Sequence, residues 1–179
     1  MSSVGVYYPP PGFFFTVTVA GTGTPLQLLS RVDGSFQEAS GIEAKFEVEE
    51  LQEGGENRYV HRLPKAASYP NLVLKRGYVT TASFLSEWAA QTVGQSFTEG
   101  IMTQTLVVML LGPNRLPTVG WTFTNAWPVR WVTGPFNSEQ NQVLTEVLEF
   151  SYAYVTRIPL NEALAMVGPV AALIATANL

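Results

Sequence analysis

The 179-residue chain reads as a mainly β domain, an antiparallel β-barrel or sandwich with one packed α-helix. Three observations predict this: apolar and polar residues alternate in about seven runs, a glycine-rich reversal joins two of them, and one stretch has helical spacing. In the first run, Phe13, Phe15, Val17 and Val19 face one way, and Phe14, Thr16, Thr18 and Ala20 the other. From Ile42 to Leu51, Ile42, Ala44, Phe46 and Val48 alternate with Glu43, Lys45, Glu47 and Glu49, which predicts a strand with one buried and one wet face. Glu53-Gly54-Gly55-Glu56-Asn57 supplies the glycines of a tight reversal, and Arg58 to Leu63 is the returning strand, stopped by Pro64.

Leu72 to Lys75 is a short apolar strand ended by Gly77. Thr80 or Thr81 then serves as N-cap of a helix from Ala82 to Val93, with Phe84, Leu85, Trp88 and Ala89 on one face and Gly94 as the stop. Ile101 to Leu111 is continuously apolar, as a central strand covered on both faces would be. Val119 to Trp131 and Val143 to Val155 complete the set, although Leu144, Val147, Leu148 and Ser151 also fit a helix. The organisation is a Pro-rich arm (1–12), a β domain (13–157) and an apolar C-terminal extension (158–179) with a short helical pair broken at Gly168-Pro169. Its longest uncharged stretch, Ala163 to Leu179, is shorter than the roughly 20 residues of a spanning helix, so no stable membrane anchor is expected.

Composition narrows the chemistry. No Cys and one His leave no disulfides, no thiolate nucleophile and no multi-His metal centre, so no cofactor or metal is expected. Net charge is −4 and no Lys/Arg run occurs, which argues against nucleic-acid binding. Met1 to Pro11 has no basic residue ahead of an apolar segment, making cytoplasmic synthesis the default expectation. Only 13% of residues are charged, against about 25% in an ordinary soluble domain, so much of the surface is expected to face other protein.

Seven of the fourteen carboxylates lie between Glu38 and Glu56. Glu47 and Glu49 would stand roughly 6.5–7 Å apart by strand rise, a separation used by glycosidases, and a carboxylate-dependent hydrolase is one reading. The blander one is a solvated acidic face paired with Arg58 and Arg62. His61 lacks a serine elbow and reads as a surface or interface histidine. Trp88, Trp121, Trp127 and Trp131 could form a sugar platform in a secreted carbohydrate-binding β-sandwich, or serve as core and interface anchors.

The order of the unusual pieces carries a resemblance. Phe36-Gln37-Glu38-Ala39-Ser40-Gly41-Ile42-Glu43, Glu53 to Asn57, Leu63-Pro64, Leu74-Lys75-Arg76-Gly77, the helix bearing Trp88, Trp121-Thr122-Phe123-Thr124-Asn125-Ala126-Trp127-Pro128-Val129 and Glu146-Val147-Leu148-Glu149 follow one another. Together, from about Phe13 to Tyr154, they resemble the tail tube family of contractile phage tails and phage-tail-like injection particles, distantly similar to the hemolysin-coregulated protein of type VI secretion.

The resemblance implies a non-enzymatic structural subunit with a tail-tube fold. Such subunits form hexameric rings that stack into a hollow tube inside a sheath, above a baseplate and spike, with cargo in the lumen. It also implies contacts between subunits or rings at Glu53, Gly54, Gly55, Glu56 and Asn57 and at Leu74, Lys75, Arg76 and Gly77. The wet face of Glu43, Lys45, Glu47 and Glu49 is the candidate lumen lining. The arm, the Thr22 to Gly34 loop, the Gln91 to Gly100 connection and the tail exceed a minimal subunit and would suit a specialised ring next to the spike or baseplate, a cover on the tube exterior toward the sheath, or a segment that enters the lumen. The Pro-rich start leans toward an extracellular injection particle over a DNA-delivering phage.

Overall fold

A computed structural model of the chain describes residues 15–20, 36–55, 58–80, 83–94, 100–112, 117–135 and 143–158. In order these form β1 (Phe15–Ala20), β2 (Glu38–Ser40), β3 (Lys45–Leu51), β4 (His61–Ser68), β5 (Leu72–Gly77), α1 (Phe84–Gly94), β6 (Gln104–Leu111), β7 (Pro117–Thr133), β8 (Thr145–Ser151) and β9 (Tyr154–Ile158). Every strand pairing among them is antiparallel.

Strand β7 belongs to two sheets. Its first half lies between β6 and β9, with β1 beyond β6; its second half pairs with β8, followed by β5 and β2. The change of partner falls at Asn125, whose φ of 53° is left-handed and which sits where β7 holds an extra residue against β6. Asparagine tolerates that conformation better than other L-residues with a Cβ. Chain β8–β9 breaks at the same level: Ala153 N–H donates to the Thr124 carbonyl, 2.9 Å. Val143 to Val155 therefore holds two strands with Tyr152 at their junction, and its helical periodicity is not used.

Alternation places the core as expected in β1 and β6. Val17 and Val19 join Leu106, Val108, Phe123 and Phe150 in the main cluster, while Val107 and Met109 are buried on the other face of β6 with Ile158. Helix α1 adds Leu85, Trp88 and Ala89, with the Trp88 and Phe150 rings 5.5 Å apart. Its cap is Ser83, two to three residues later than the threonines suggest: the Ser86 N–H donates to Ser83 Oγ at 3.2 Å.

Two expectations fail in the hairpin. β3 and β4 form a separate two-stranded sheet, and every residue of β3 is exposed, Phe46 to 66% and Val48 to 54%. The alternation is real, but among the described residues no layer lies over the apolar face. Pro64 does not stop the returning strand; it sits within β4 opposite Val48, beside a register shift. A strand with an open edge and a bulge accommodates a residue that cannot donate. The arm 1–12, the Thr22 to Gly34 loop and the extension with its expected helices, apart from Ile158, lie outside the described residues. No described helix is long and apolar enough to cross a membrane.

The bend at Asn125 should dominate the cost of substitution there. Asn125→Val is expected to lose about 1–2 kcal/mol in urea unfolding, whereas Asn125→Gly stays close to the parent.

Candidate functional site

The hairpin carries two unlike faces. Lys45, Glu47, Glu49 and Leu51 point one way, and Phe46, Val48 and Glu50 the other. Register sets Ala67 opposite Phe46 and Pro64 opposite Val48, making a contiguous apolar patch that ends at the Glu50–Arg62 pair, 3.0 Å. On the acidic face Lys65 Nζ lies 3.6 Å from Glu49, and His61 stands 3.6 Å from Glu53 near the tip. These exposed pairs contribute little to stability. At the turn Gly55 takes φ +101° and Gly54 faces open space; Glu56 and Asn57 lie outside the described residues.

The base of the hairpin is built differently. Two connectors, 41–44 and 69–71, join it to the body, and they cross where Gly41 meets Asn71. A Cβ on Gly41 would stand 2.0 Å from the Asn71 carbonyl oxygen, and φ there is +84°, so glycine alone fits. Asn71 Nδ2 donates to Glu149 at 2.8 Å. The Tyr152 hydroxyl donates to the Gly41 carbonyl at 3.1 Å, with the Glu43 carbonyl at 3.4 Å. Tyr152 is 8% exposed, edge-on to Phe123 at 4.9 Å and tilted against Tyr69 at 5.8 Å. Burial first, then Tyr69 and Glu43, push its pKa above the ordinary phenol value, so it stays a donor at neutral pH.

The candidate contact segment Leu74 to Gly77 divides. Leu74 and Arg76 have fully buried side chains and belong to the chain's own interior; Lys75 is half-buried and Gly77 exposed. Arg76 Nε donates to Glu146 Oε2 at 2.7 Å, with both side chains essentially without solvent contact. Its Nη2 donates to Ser83 and Ser86 Oγ, and Ser86 and Trp131 donate to the other Glu146 oxygen at 2.7 and 2.8 Å. Phe36 stacks under the guanidinium at 5.0 Å. One network thus joins β5, β7, β8 and the cap of α1, and no described buried side-chain polar atom is left unpaired. This pair escaped sequence reasoning, yet a signal existed: Arg76 shares a face with Leu72 and Leu74, and Glu146 shares one with Leu148 and Phe150. Opposite charges on two apolar faces that pair in register are a buried ion pair.

The alternative chemistries find no support in this geometry. Glu47 and Glu49 stand on an exposed hairpin, not in a cleft. Trp88 is buried, Trp121 and Trp127 pack against the core, and Trp131 bonds to Glu146, so the four rings do not form one platform. Between β1 and β2 lies a cavity of about 340 Å³ with mostly apolar walls, including Phe15, Ile42, Val108 and Trp121. Among the described residues no group of three His, Asp or Glu could hold a metal.

The fold is that of a contractile tail tube protein. A family model described as T4-like virus tail tube protein gp19 matches residues 11–156, and the chain belongs to that family. A chain from the anti-feeding prophage (AFP) baseplate shares 31% identity at TM-score 0.75, over 87% of this chain and 99% of that one. A chain of the AFP tube-terminating cap shares 20% identity at TM-score 0.72, covering 88% and 96%. One from the PVC sheath–tube complex, an extracellular contractile injection system, shares 18% at TM-score 0.69, covering 89% and 99%. No curated protein matches the chain.

Breaking the buried pair from one side should be costly. Arg76→Met or Glu146→Leu is expected to lose about 3–5 kcal/mol by leaving an uncompensated buried charge or its donors, and the double variant should lose less than the two singles combined. Chemical unfolding of the three variants is the measurement.

Proposed function

We propose that the chain is the repeating subunit of a hollow inner tube: six copies close into a ring, rings stack, and a contracting sheath drives the tube through a target envelope. The observation that carries this is the hairpin. Phe46 and Val48 stand exposed on an arm that no other described strand covers, and a neighbouring copy is the partner that rotational symmetry supplies. Burying those two side chains would contribute roughly 1.5–3 kcal/mol each. Edges at β1, β2, β9 and the second half of β7 that no other described strand pairs with are further places where neighbours can pair strand to strand. Glu53, Gly54, Gly55, Glu56, Asn57, Lys75 and Gly77 are the proposed remaining contact positions between subunits and rings.

With the apolar face turned to a neighbour, the opposite face of Lys45, Glu47 and Glu49, with Glu43 at its base, is the one available to line the bore. Repeated net negative charge there would keep acidic cargo from adhering. Sheath, baseplate and spike are the proposed partners, supported by likeness to chains of AFP and PVC particles. The higher identity to a baseplate chain favours a ring near that end of an extracellular injection particle, assembled in the cytoplasm before release.

Electron microscopy with sedimentation tests the assembly: rings or tubes are expected, and a chain that stays monomeric at high concentration even with tube ends as seeds would overturn it. Phe46→Ser with Val48→Ser should raise the assembly concentration about 100-fold or more while the monomer's unfolding changes by less than about 0.5 kcal/mol. Glu47→Lys with Glu49→Lys should leave tubes intact and alter cargo loading; failure of tubes to form would make that face a subunit contact.

A further inference from the structure

We infer that Tyr152 is a positioning residue for assembly: its hydroxyl clamps the crossing connectors at the hairpin base and fixes the angle at which the arm leaves the body. The inference rests on the reading of the hairpin as the subunit contact. β3 is exposed along its whole length and, among the described strands, pairs with β4 alone, so the described strand ladders of the body do not hold the arm's direction. Direction is left to the connectors, and each is tied by a side-chain hydrogen bond to the same short stretch of chain. Connector 41–44 is held by Tyr152 through the Gly41 and Glu43 carbonyls, and connector 69–71 by Glu149 through Asn71. The close Gly41–Asn71 crossing makes the two move together.

Tyr152 is suited to this because its ring cannot move independently. Phe123 stands edge-on to it, Tyr69 of the second connector leans on it, and its backbone lies at the β8–β9 break beside the bend in β7. The hydroxyl is thus referenced to the part of the body where both sheets meet. Ile42, which packs against the core from the first connector, supplies an apolar tie, but one without direction. The hydrogen bonds supply direction, because a donor aimed at a carbonyl weakens steeply when misaligned.

The absence of cysteine permits a direct test. Spin labels at Gly54→Cys, whose Cβ faces open space, and Val93→Cys, an exposed site on α1, report the tip-to-body distance by pulsed electron resonance. In the parent, one narrow distribution is expected. Tyr152→Phe keeps the ring and removes only the hydroxyl; loss of one such bond shifts the clamped equilibrium by about 3- to 10-fold, and the distribution should broaden at least twofold. Asn71→Ala should broaden it from the other connector, so that the clamp is tested even if one variant folds poorly. Circular dichroism and a second label pair within the body, Glu87→Cys with Arg130→Cys, should be unchanged. A tip distribution as narrow in Tyr152→Phe as in the parent overturns the clamp whatever assembly does. Broadening together with a matching fall in assembled fraction supports it. Broadening with undiminished assembly sustains the clamp as a mechanical tie but overturns its role in assembly, an outcome distinct from normal assembly of the Phe46/Val48 variant, which would sink the contact itself.

Discussion

A single constraint shapes the molecule: strand β7 is too long to lie straight in it. Seventeen residues of extended chain span roughly 55 Å, whereas a globule of this length has a radius of gyration near ~16 Å. The strand must turn, and it does so at Asn125, one of the few residue types that can take φ of 53° at modest cost. Once it turns, its two halves face different partners, and the chain becomes two antiparallel sheets sharing one strand. The β8–β9 break and the placement of Tyr152 follow, because a partner strand cannot remain hydrogen-bonded around the corner.

The corner also decides where polar groups can be hidden. Beyond it, the second half of β7 and its neighbours β8 and β5 enclose Arg76 and Glu146, with the cap of α1 laid over them. A buried pair of this kind is weak evidence of added stability, since well-packed apolar residues can replace it. Its geometric demand is what distinguishes it. A guanidinium with donors committed to one carboxylate and two serines holds helix and sheet in one mutual placement, which a greasy contact would specify less sharply.

How much of this was legible depended on whether a feature is local. Helix α1, the glycine turn at Gly54-Gly55 and the doubly covered β6 follow from periodicity and turn chemistry, although the apolar run that predicts β6 begins three residues early, at Ile101, where the chain is exposed. The helix cap missed by a few residues because Thr80, Thr81 and Ser83 are equally competent and only packing chooses. The Arg76–Glu146 pair required knowing that β5 neighbours β8, seventy residues away in sequence, although each charge already interrupted an apolar face. Leu74 and Arg76, assigned to an outer contact by family likeness, turned inward for the same reason. The hairpin marks a different limit. Alternation established that Phe46 and Val48 share a face, but it says nothing about whether the covering layer belongs to the same chain.

The hairpin's length gives its base a leverage that its own contacts do not reveal. Seven residues of β3 reach roughly 23 Å from the connectors, so an angular error of about 10° at Gly41 displaces the tip by about 4 Å. A displacement of that size is comparable to the width of a side-chain contact, so in the proposed assembly a small rotation at the root would carry Phe46 and Val48 off the neighbouring surface they are proposed to meet. In a closed ring such an error would be compounded at each joint, so tolerance at the root bounds how many subunits can meet without a gap.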